Sequence, residues 1–166
     1  MSTRTPASRA PAGLYTADER ARRDATVWTL VQGILAPLQF VVFLVSLVLV
    51  LRYLATGAGY DVAAWSIVVK TGVLYIIMVT GAIWEKIVFG QYLLAPAFFW
   101  EDVFSFLVIG LHTAYLWALF SGALAPVPLM WLALAAYGAY VINAVQFVLK
   151  LRAARAQAST LQEAPA

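Results

Sequence analysis

Residues 28–53 read WTLVQGILAPLQFVVFLVSLVLVLRY, an apolar run with one charged residue, Arg52, near its end. A helix of ~20 such residues is long enough to cross the hydrocarbon core of a bilayer. Three further apolar runs follow at 62–84, 96–120 and 127–149. The runs lack the period-two alternation that is typical of membrane strands. The sequence therefore predicts an all-α fold, an integral membrane bundle of four transmembrane helices.

The composition of the whole chain supports this interpretation. Of its 166 residues, 63% are hydrophobic and 11% are charged, a balance that a soluble domain of this size could not bury. The chain has no cysteine, which excludes disulfides and thiol nucleophiles. Its one histidine, His112, cannot form a multi-histidine metal site. The formal charge is +3, and the basic residues flank the apolar runs, which indicates membrane topology and no nucleic-acid partner.

The two ends of the chain differ from its middle. Residues 1–13 are rich in Pro, Ala, Ser and Arg and are predicted to be a disordered tail, as are residues 156–166. Residues 14–155 between them form the membrane domain. Thr16 and Glu19 have the spacing of a capping box, which predicts a short N-terminal juxtamembrane helix. Basic residues precede the first span and follow the last, so the positive-inside rule places both termini in the cytoplasm.

The segment from Glu85 to Asp102 is then cytoplasmic as well. It carries three of the eight acidic residues of the chain, Glu85, Glu101 and Asp102, among aromatic side chains. No charged residue lies between 87 and 100, and we expect this short run to enter the interface or to cover a cavity. Pro96 is predicted in the first turn of the third span. Carboxylates beside apolar surface are costly unless they are hydrated, paired or used, so this segment is the first candidate for chemistry.

The third span has a polar face. Glu101, Ser105, Val108, His112 and Tyr115 follow one another at spacings of three or four residues, which places them on one side of a helix. His112 could ligate a pigment or a metal, carry a proton or bind a substrate, and an interhelical hydrogen bond is the alternative. Adjacent residues point about 100° apart. Glu85 is therefore the favoured partner of Glu101, in a cavity between the second and third spans.

The other spans carry polar residues too. Gln32 and Gln39 share a face of the first span, with Pro37 between them. Tyr140 and Asn143, with Gln146 or Phe147, form a face of the fourth. These faces could line one cavity, or they could hold the helices together. Lys70, inside the second span, is expected to extend toward the outer interface, and its alternative role is that of a counter-ion for a carboxylate.

Six segments of the chain together resemble one known family. They are LYT at 14–16, WTLVQGILAPLQF at 28–40, GAIWEK at 81–86, APAFFWED at 95–102, LHTAY at 111–115 and NAVQF at 143–147. In this order the chain resembles the 3-vinyl bacteriochlorophyllide hydratase family over residues 14–155. The resemblance implies a hydro-lyase of bacteriochlorophyll biosynthesis in the inner membrane of a phototrophic bacterium, either the cytoplasmic or the intracytoplasmic photosynthetic membrane. Such enzymes add water to the 3-vinyl group of chlorophyllide a, or of 3-vinyl bacteriochlorophyllide a, and form a 3-(1-hydroxyethyl) group.

Hydration of a vinyl group requires an acid that protonates the terminal carbon and a base that activates water. Surroundings of low polarity favour the protonated form of a carboxyl group. We therefore predict that Glu101 or Glu85 is the acid and that Asp102 or the other carboxylate is the base, with His112 as an alternative base or as an axial ligand of the substrate's magnesium. No cofactor is required, because addition of water leaves the electrons in balance. The predicted substrate-binding residues are Trp84, Lys86, Phe99, Trp100, Tyr115, Asn143, Gln32 and Gln39.

The partners expected from the resemblance are a chlorophyllide-type tetrapyrrole and the lipid bilayer. A homo-oligomer and contact with other enzymes of the pathway are further expectations. The competing interpretation is a membrane protein that binds or assembles pigment without converting it. A small transporter subunit is disfavoured, because the sequence shows no inverted repeat.

Overall fold

The computed structural model describes residues 14–163, with side chains for residues 14–153, and every regular element in this part of the chain is a helix. The helices are α1 (Ala17–Ala25), α2 (Val27–Thr56), α3 (Tyr60–Phe89), α4 (Phe99–Ser121) and α5 (Pro126–Glu163). Four of them, α2 to α4 and the part of α5 from Pro126 to Ala153, are long and apolar enough to cross a membrane. The predicted all-α class, the four spans and the short N-terminal helix are confirmed.

Local sequence explains where the helices begin and end. At the start of α1 the Thr16 amide donates to Glu19 Oε2 (2.7 Å) and the Glu19 amide donates to Thr16 Oγ1 (3.3 Å), the predicted capping box. Three helices end at a glycine in the left-handed conformation, Gly57 after α2, Gly90 after α3 and Gly122 after α4. Glycine adopts this conformation without steric cost, and it stops each span at a defined residue.

The entry into α4 differs from the prediction. Pro96 does not lie in the first turn, because the helix begins three residues later, at Phe99. The chain first reverses through Leu94, a residue with a φ of 60°, and through a turn in which the Phe98 amide donates to the Ala95 carbonyl (2.7 Å). Residues 96–98, which the sequence prediction placed in the helix, therefore belong to the turn.

The spans pack as two helical hairpins. Helix α2 lies mainly along α3, α4 lies along α5, and α5 also contacts α2 and α3. The centre of the bundle is aromatic, since the Phe43 ring lies 5.3 Å from the Tyr137 ring and 5.0 Å from the Tyr140 ring. Large apolar side chains such as Leu30, Trp65 and Trp117 face outward, as expected of a surface in contact with lipid.

Helix α1 packs on α3 and buries none of its own side chains. The predicted tails fall partly outside the described residues, at 1–13 and 164–166. The backbone of α5 continues as helix through 156–163, the first part of the predicted C-terminal tail.

Candidate active site

Two carboxyl groups from different spans meet at the end of the bundle where α1 lies. Glu85 belongs to α3 and Asp102 to α4, and they are 5% and 3% exposed. The Ala95 amide donates to Glu85 Oε2 (3.4 Å), and the neighbouring Leu94 amide donates to Asp102 Oδ2 (2.6 Å). The two carboxyl groups lie next to each other, close enough for the charge on one to act on the other. We call Glu85 and Asp102 the carboxyl pair.

The backbone of the connecting loop holds this pair. Leu94 has a φ of 60°, which is uncommon for a residue with a side chain. This conformation turns two consecutive amides toward the two carboxyl groups. Strain of this kind persists only where the surroundings fix it, and it is concentrated at functional sites.

The contact has a chemical consequence. An ionised carboxylate only accepts hydrogen bonds, so a hydrogen bond between two carboxyl groups requires a proton on one of them. Two negative charges in contact away from water would also repel each other strongly. The carboxyl pair is therefore most stable with a single proton, so that one group is protonated while the other is ionised.

Glu101 has a different partner from the one that the sequence favoured. Lys150 of α5 donates to Glu101 Oε2 over 2.6 Å, and its Nζ lies 5.1 Å from the centre of the Phe98 ring. Glu85 pairs with Asp102 and not with Glu101, because the Leu94 amide holds Asp102 and the neighbouring Ala95 amide holds Glu85. Glu101 borders the pair and compensates a lysine.

Five aromatic rings pack at the same end of the bundle. Trp84, Phe89 and Phe98 have centroids 5.8 Å apart in each pair, and Phe147 stacks on Phe98 at 5.8 Å. Tyr15 stacks on Phe89 at 5.7 Å with 12° between the ring planes. Trp84 Nε1 also donates to Thr29 Oγ1 (2.9 Å), which fixes its orientation. We call these rings the aromatic cluster.

The sequence predicts Trp84 as a binding residue but gives no such role to Tyr15 or Phe89, and it offers Phe147 only as an alternative to Gln146 on the polar face of the fourth span. Tyr15 is buried although it precedes the first helix, and the Arg23 guanidinium lies 4.8 Å from the centre of its ring. Burial raises the pKa of the Tyr15 phenol, and the nearby Arg23 opposes that shift. A signal for Tyr15 was available, because it lies directly before the capping box, but nothing local shows which rings it meets.

Three predicted binding residues lie on the outer surface beside the pair. Trp100 is 67% exposed and packs edge-on against Phe99, which is also exposed, at 5.4 Å. Lys86 is exposed, donates to the Gly90 carbonyl (2.8 Å) and lies 5.3 Å from the centre of the exposed Tyr92 ring. This surface joins aromatic faces to a cation at the loop that covers the carboxyl pair.

His112 lies deeper in the bundle and does not contact the pair. Its Nδ1 donates to the Val108 carbonyl (2.7 Å), and its Nε2 lies 2.5 Å from Lys70 Nζ. Both side chains are fully buried, and Lys70 Nζ is 4.3 Å from the centre of the Tyr140 ring. The expectation that Lys70 extends to the outer interface is wrong, because His112 and the tyrosine faces hold its ammonium inside. Both nitrogens of His112 are engaged, so neither is presented to a substrate here.

The remaining predicted residues are distributed through the interior. Asn143 Nδ2 donates to Ser105 Oγ (2.8 Å), and Gln32 Nε2 donates to Thr80 Oγ1 (2.8 Å). Among residues 14–153, both side-chain polar atoms of Gln39 and the Tyr115 hydroxyl are buried without a hydrogen-bond partner. The predicted polar face of α4 is confirmed as buried, but it runs from the site into the bundle and does not surround the carboxyl pair.

Comparison with known proteins decides the family. The family model described as 2-vinyl bacteriochlorophyllide hydratase (BCHF) matches residues 15–153. The chain belongs to this family. The numbers 2 and 3 denote the same vinyl group in the older and the systematic numbering of the macrocycle, so the family predicted from the sequence is confirmed.

Two curated relatives carry the same name, 2-vinyl bacteriochlorophyllide hydratase. The protein of Rhodobacter capsulatus is 71% identical over 147 residues, which cover 89% of this chain and 85% of the relative. That of Cereibacter sphaeroides is 73% identical over 143 residues, which cover 86% and 88%. No solved structure matches the chain.

Proposed function

We propose that this hydratase adds water to the vinyl group of a chlorophyllide-type tetrapyrrole and forms a 1-hydroxyethyl group. Membership of the family and the two relatives support the reaction class. The observation that carries the proposed site is the carboxyl pair, in which Glu85 and Asp102 are held in contact by two consecutive amides. The pair supplies both an acid and a base, as the reaction requires.

The proposed mechanism uses both members of the pair. The protonated carboxyl group gives its proton to the terminal carbon of the vinyl group, and the positive charge develops on the carbon beside the ring, where conjugation stabilises it. Water attacks that carbon and loses a proton to the ionised carboxylate. One proton leaves the pair and one returns, so the enzyme ends in its starting state after transfer between Glu85 and Asp102. The steps need no redox cofactor, because no electrons are gained or lost.

The substrate is proposed to approach along the outer surface of the loop. The part of its flat ring that is remote from the vinyl group would lie on exposed aromatic faces such as those of Phe99 and Trp100, which favour stacking. Lys86 is the proposed partner of the substrate's carboxylate, since it is exposed next to these rings. Magnesium enters only as part of the substrate. Because Nε2 of His112 is bound to Lys70, we assign His112 to the interior of the bundle and not to the metal.

The site is proposed to face the cytoplasm. Arg20, Arg22 and Arg23 lie before the first span, and Lys150 and Arg152 lie at the end of the last. With four spans, both ends of the membrane domain lie on one side, and the positive-inside rule assigns that side to the cytoplasm. The loop between α3 and α4, which covers the carboxyl pair, lies on the same side.

The test is conversion of substrate by the full chain. We would express it in a host that lacks this activity, supply chlorophyllide a in water enriched in ¹⁸O, and analyse the pigment by mass spectrometry. The expected product has gained one labelled water. A pigment that is bound but unchanged would refute the hydratase and favour the pigment-binding interpretation.

A further inference from the structure

We propose that the position occupied by the Tyr15 ring is the subsite for the vinyl-bearing edge of the macrocycle, and that residues 14–25 form a strap that leaves when the substrate binds. The inference rests on the proposed function and names where its substrate lies at the carboxyl pair. The ligand class is a flat, apolar, conjugated ring. Tyr15 is a placeholder for that ring in the free enzyme.

The carboxyl pair is closed to substrate in this conformation. Glu85 and Asp102 are 5% and 3% exposed, so no substrate atom can touch them in this conformation. Catalysis by the pair therefore requires that one of its covers moves. Two segments pack at this end of the bundle, the loop between α3 and α4 and the N-terminal segment, whose Tyr15 clusters with Val88 and Phe98.

The N-terminal segment can move away from the pair at a lower cost than the loop between α3 and α4. The loop is tied to the pair, because its Leu94 and Ala95 amides donate to Asp102 and Glu85. Lifting the loop would break the bonds that hold the acid and the base together. The N-terminal segment makes no bond to either carboxyl group. Its helix α1 buries no side chain, and two hydrogen bonds tie it to the bundle, from Arg22 Nε to the Val88 carbonyl (2.9 Å) and from Thr29 Oγ1 to the Arg23 carbonyl (2.6 Å).

The Tyr15 ring lies close to the residues that flank the carboxyl pair along α3 and α4. Tyr15 stacks on Phe89 and lies 6.4 Å from Phe98. Phe89 follows Glu85 by four residues, and Phe98 precedes Asp102 by four, with the Asp102 amide bonded to the Phe98 carbonyl (3.0 Å). Residues four apart lie on one face of a helix, about one turn from each other. A ring in the place of Tyr15 thus lies against Phe89 and Phe98, and each of these residues is about one turn from one member of the carboxyl pair.

The slot that Tyr15 occupies is suited to a conjugated ring. The slot presents stacked and edge-on aromatic faces, with Phe89 nearly parallel to the ring above it, at 12°. Such faces bind a conjugated ring without hydrogen-bond complementarity. Tyr15 shows that one aromatic ring fits there, and the pyrrole that bears the vinyl group is a ring of similar width.

The test uses the absence of cysteine from the chain. Leu14→Cys keeps Tyr15 and places the only thiol at a partly buried position packed against the aromatic cluster. The full-length variant in lipid nanodiscs is alkylated with a water-soluble maleimide, with and without a tetrapyrrole that carries ethyl in place of vinyl and cannot be hydrated. We expect the analogue to accelerate alkylation several-fold. Ala17→Cys, at an exposed position on α1, is the matched control and should change less than twofold.

Unchanged or slower alkylation of Leu14→Cys at saturating analogue would overturn the strap. A second measurement is the dissociation constant of the analogue for Tyr15 variants. Tyr15→Ala should bind it roughly tenfold more tightly, because the cost of displacing the ring is removed, whereas Tyr15→Phe should match the parent. Weaker binding of the analogue by a folded Tyr15→Ala variant would show that Tyr15 contacts the bound substrate, and it would refute the proposal that the substrate ring displaces Tyr15.

The two proposals fail separately. The alkylation and binding experiments use an unreactive analogue and do not depend on turnover. The analogue could accelerate alkylation of Leu14→Cys while the parent protein fails to hydrate chlorophyllide a. That outcome would refute the proposed function and would still support the proposed subsite.

Discussion

Replacing either member of the carboxyl pair by its amide should abolish most activity with little change in fold. Glu85→Gln and Asp102→Asn both keep an oxygen that accepts the loop amide, from Ala95 at 3.4 Å or from Leu94 at 2.6 Å. The loss of stability should therefore be about 1 kcal/mol, the net value of one hydrogen bond. The loss of general acid–base catalysis should lower kcat by ~10² to 10⁴, which at about 1.4 kcal/mol per tenfold is about 3 to 6 kcal/mol of barrier.

The double substitution separates a working pair from two independent groups. If Glu85 and Asp102 exchange one proton, the double variant should be no more than about tenfold slower than the slower single variant, because residues that act as a unit are not additive. The assay measures hydroxyethyl product per amount of folded protein, with thermal unfolding recorded for each variant. Glu101→Gln is the contrast and should cost less than about tenfold, since it breaks a partly exposed ion pair with Lys150. Multiplicative losses in the double variant, or a single variant with parent-like turnover, would refute the pair as the acid and base.

Three further predictions concern the fold around the site. His112→Leu should destabilise the bundle by roughly 1–3 kcal/mol, because it leaves the buried Lys70 amine without its hydrogen-bond partner. The double variant with Lys70→Met should be more stable than His112→Leu alone, and thermal melting that shows additive losses would contradict this. Because His112 is the only histidine, ¹⁵N-histidine labelling should give one side-chain pattern with the proton on Nδ1, and a neutral form protonated on Nε2 alone would disagree with the bond to Val108. Leu94→Gly should stabilise the protein by up to about 1 kcal/mol, since it relieves the left-handed conformation, whereas Leu94→Ala, which retains the strain, should not; equal melting temperatures of the two variants would show that the strain is not stored there.

The fold followed from the sequence because length and apolarity alone define a membrane span. The capping box and the four apolar runs are local signals, and each produced the expected helix. The face of α4 from Glu101 to Tyr115 was also predictable, since helical spacing decides which residues lie together. The position of Pro96 was predicted wrongly because the turn before α4 is not a local signal. Leu94 is left-handed in this turn, and the amides of the turn bind carboxyl groups from two different helices.

The composition of the site was predictable, but its pairing was not. Glu85, Glu101 and Asp102 stood out as acidic residues among aromatic ones. Helical geometry alone showed that Glu101 and Asp102 diverge, but not which of them turns toward α3. That choice depends on the loop amides and on Lys150, which lies 49 residues beyond Glu101. Lys70 was misjudged for the same reason, because its partners come from two other helices.

The buried Lys70 also bears on how the chain is assembled in the membrane. A lysine at the centre of an isolated helix opposes insertion by about 2.5 to 3.5 kcal/mol. During synthesis Lys70 emerges 42 residues before His112, and the rings of Tyr137 and Tyr140 follow still later. Helix α3 therefore enters the bilayer before the residues that surround the Lys70 amine have been synthesised. Completion of the last two helices thus stabilises the insertion of the third, and a nascent chain truncated before His112 should insert α3 less completely than the full chain in a glycosylation-mapping assay.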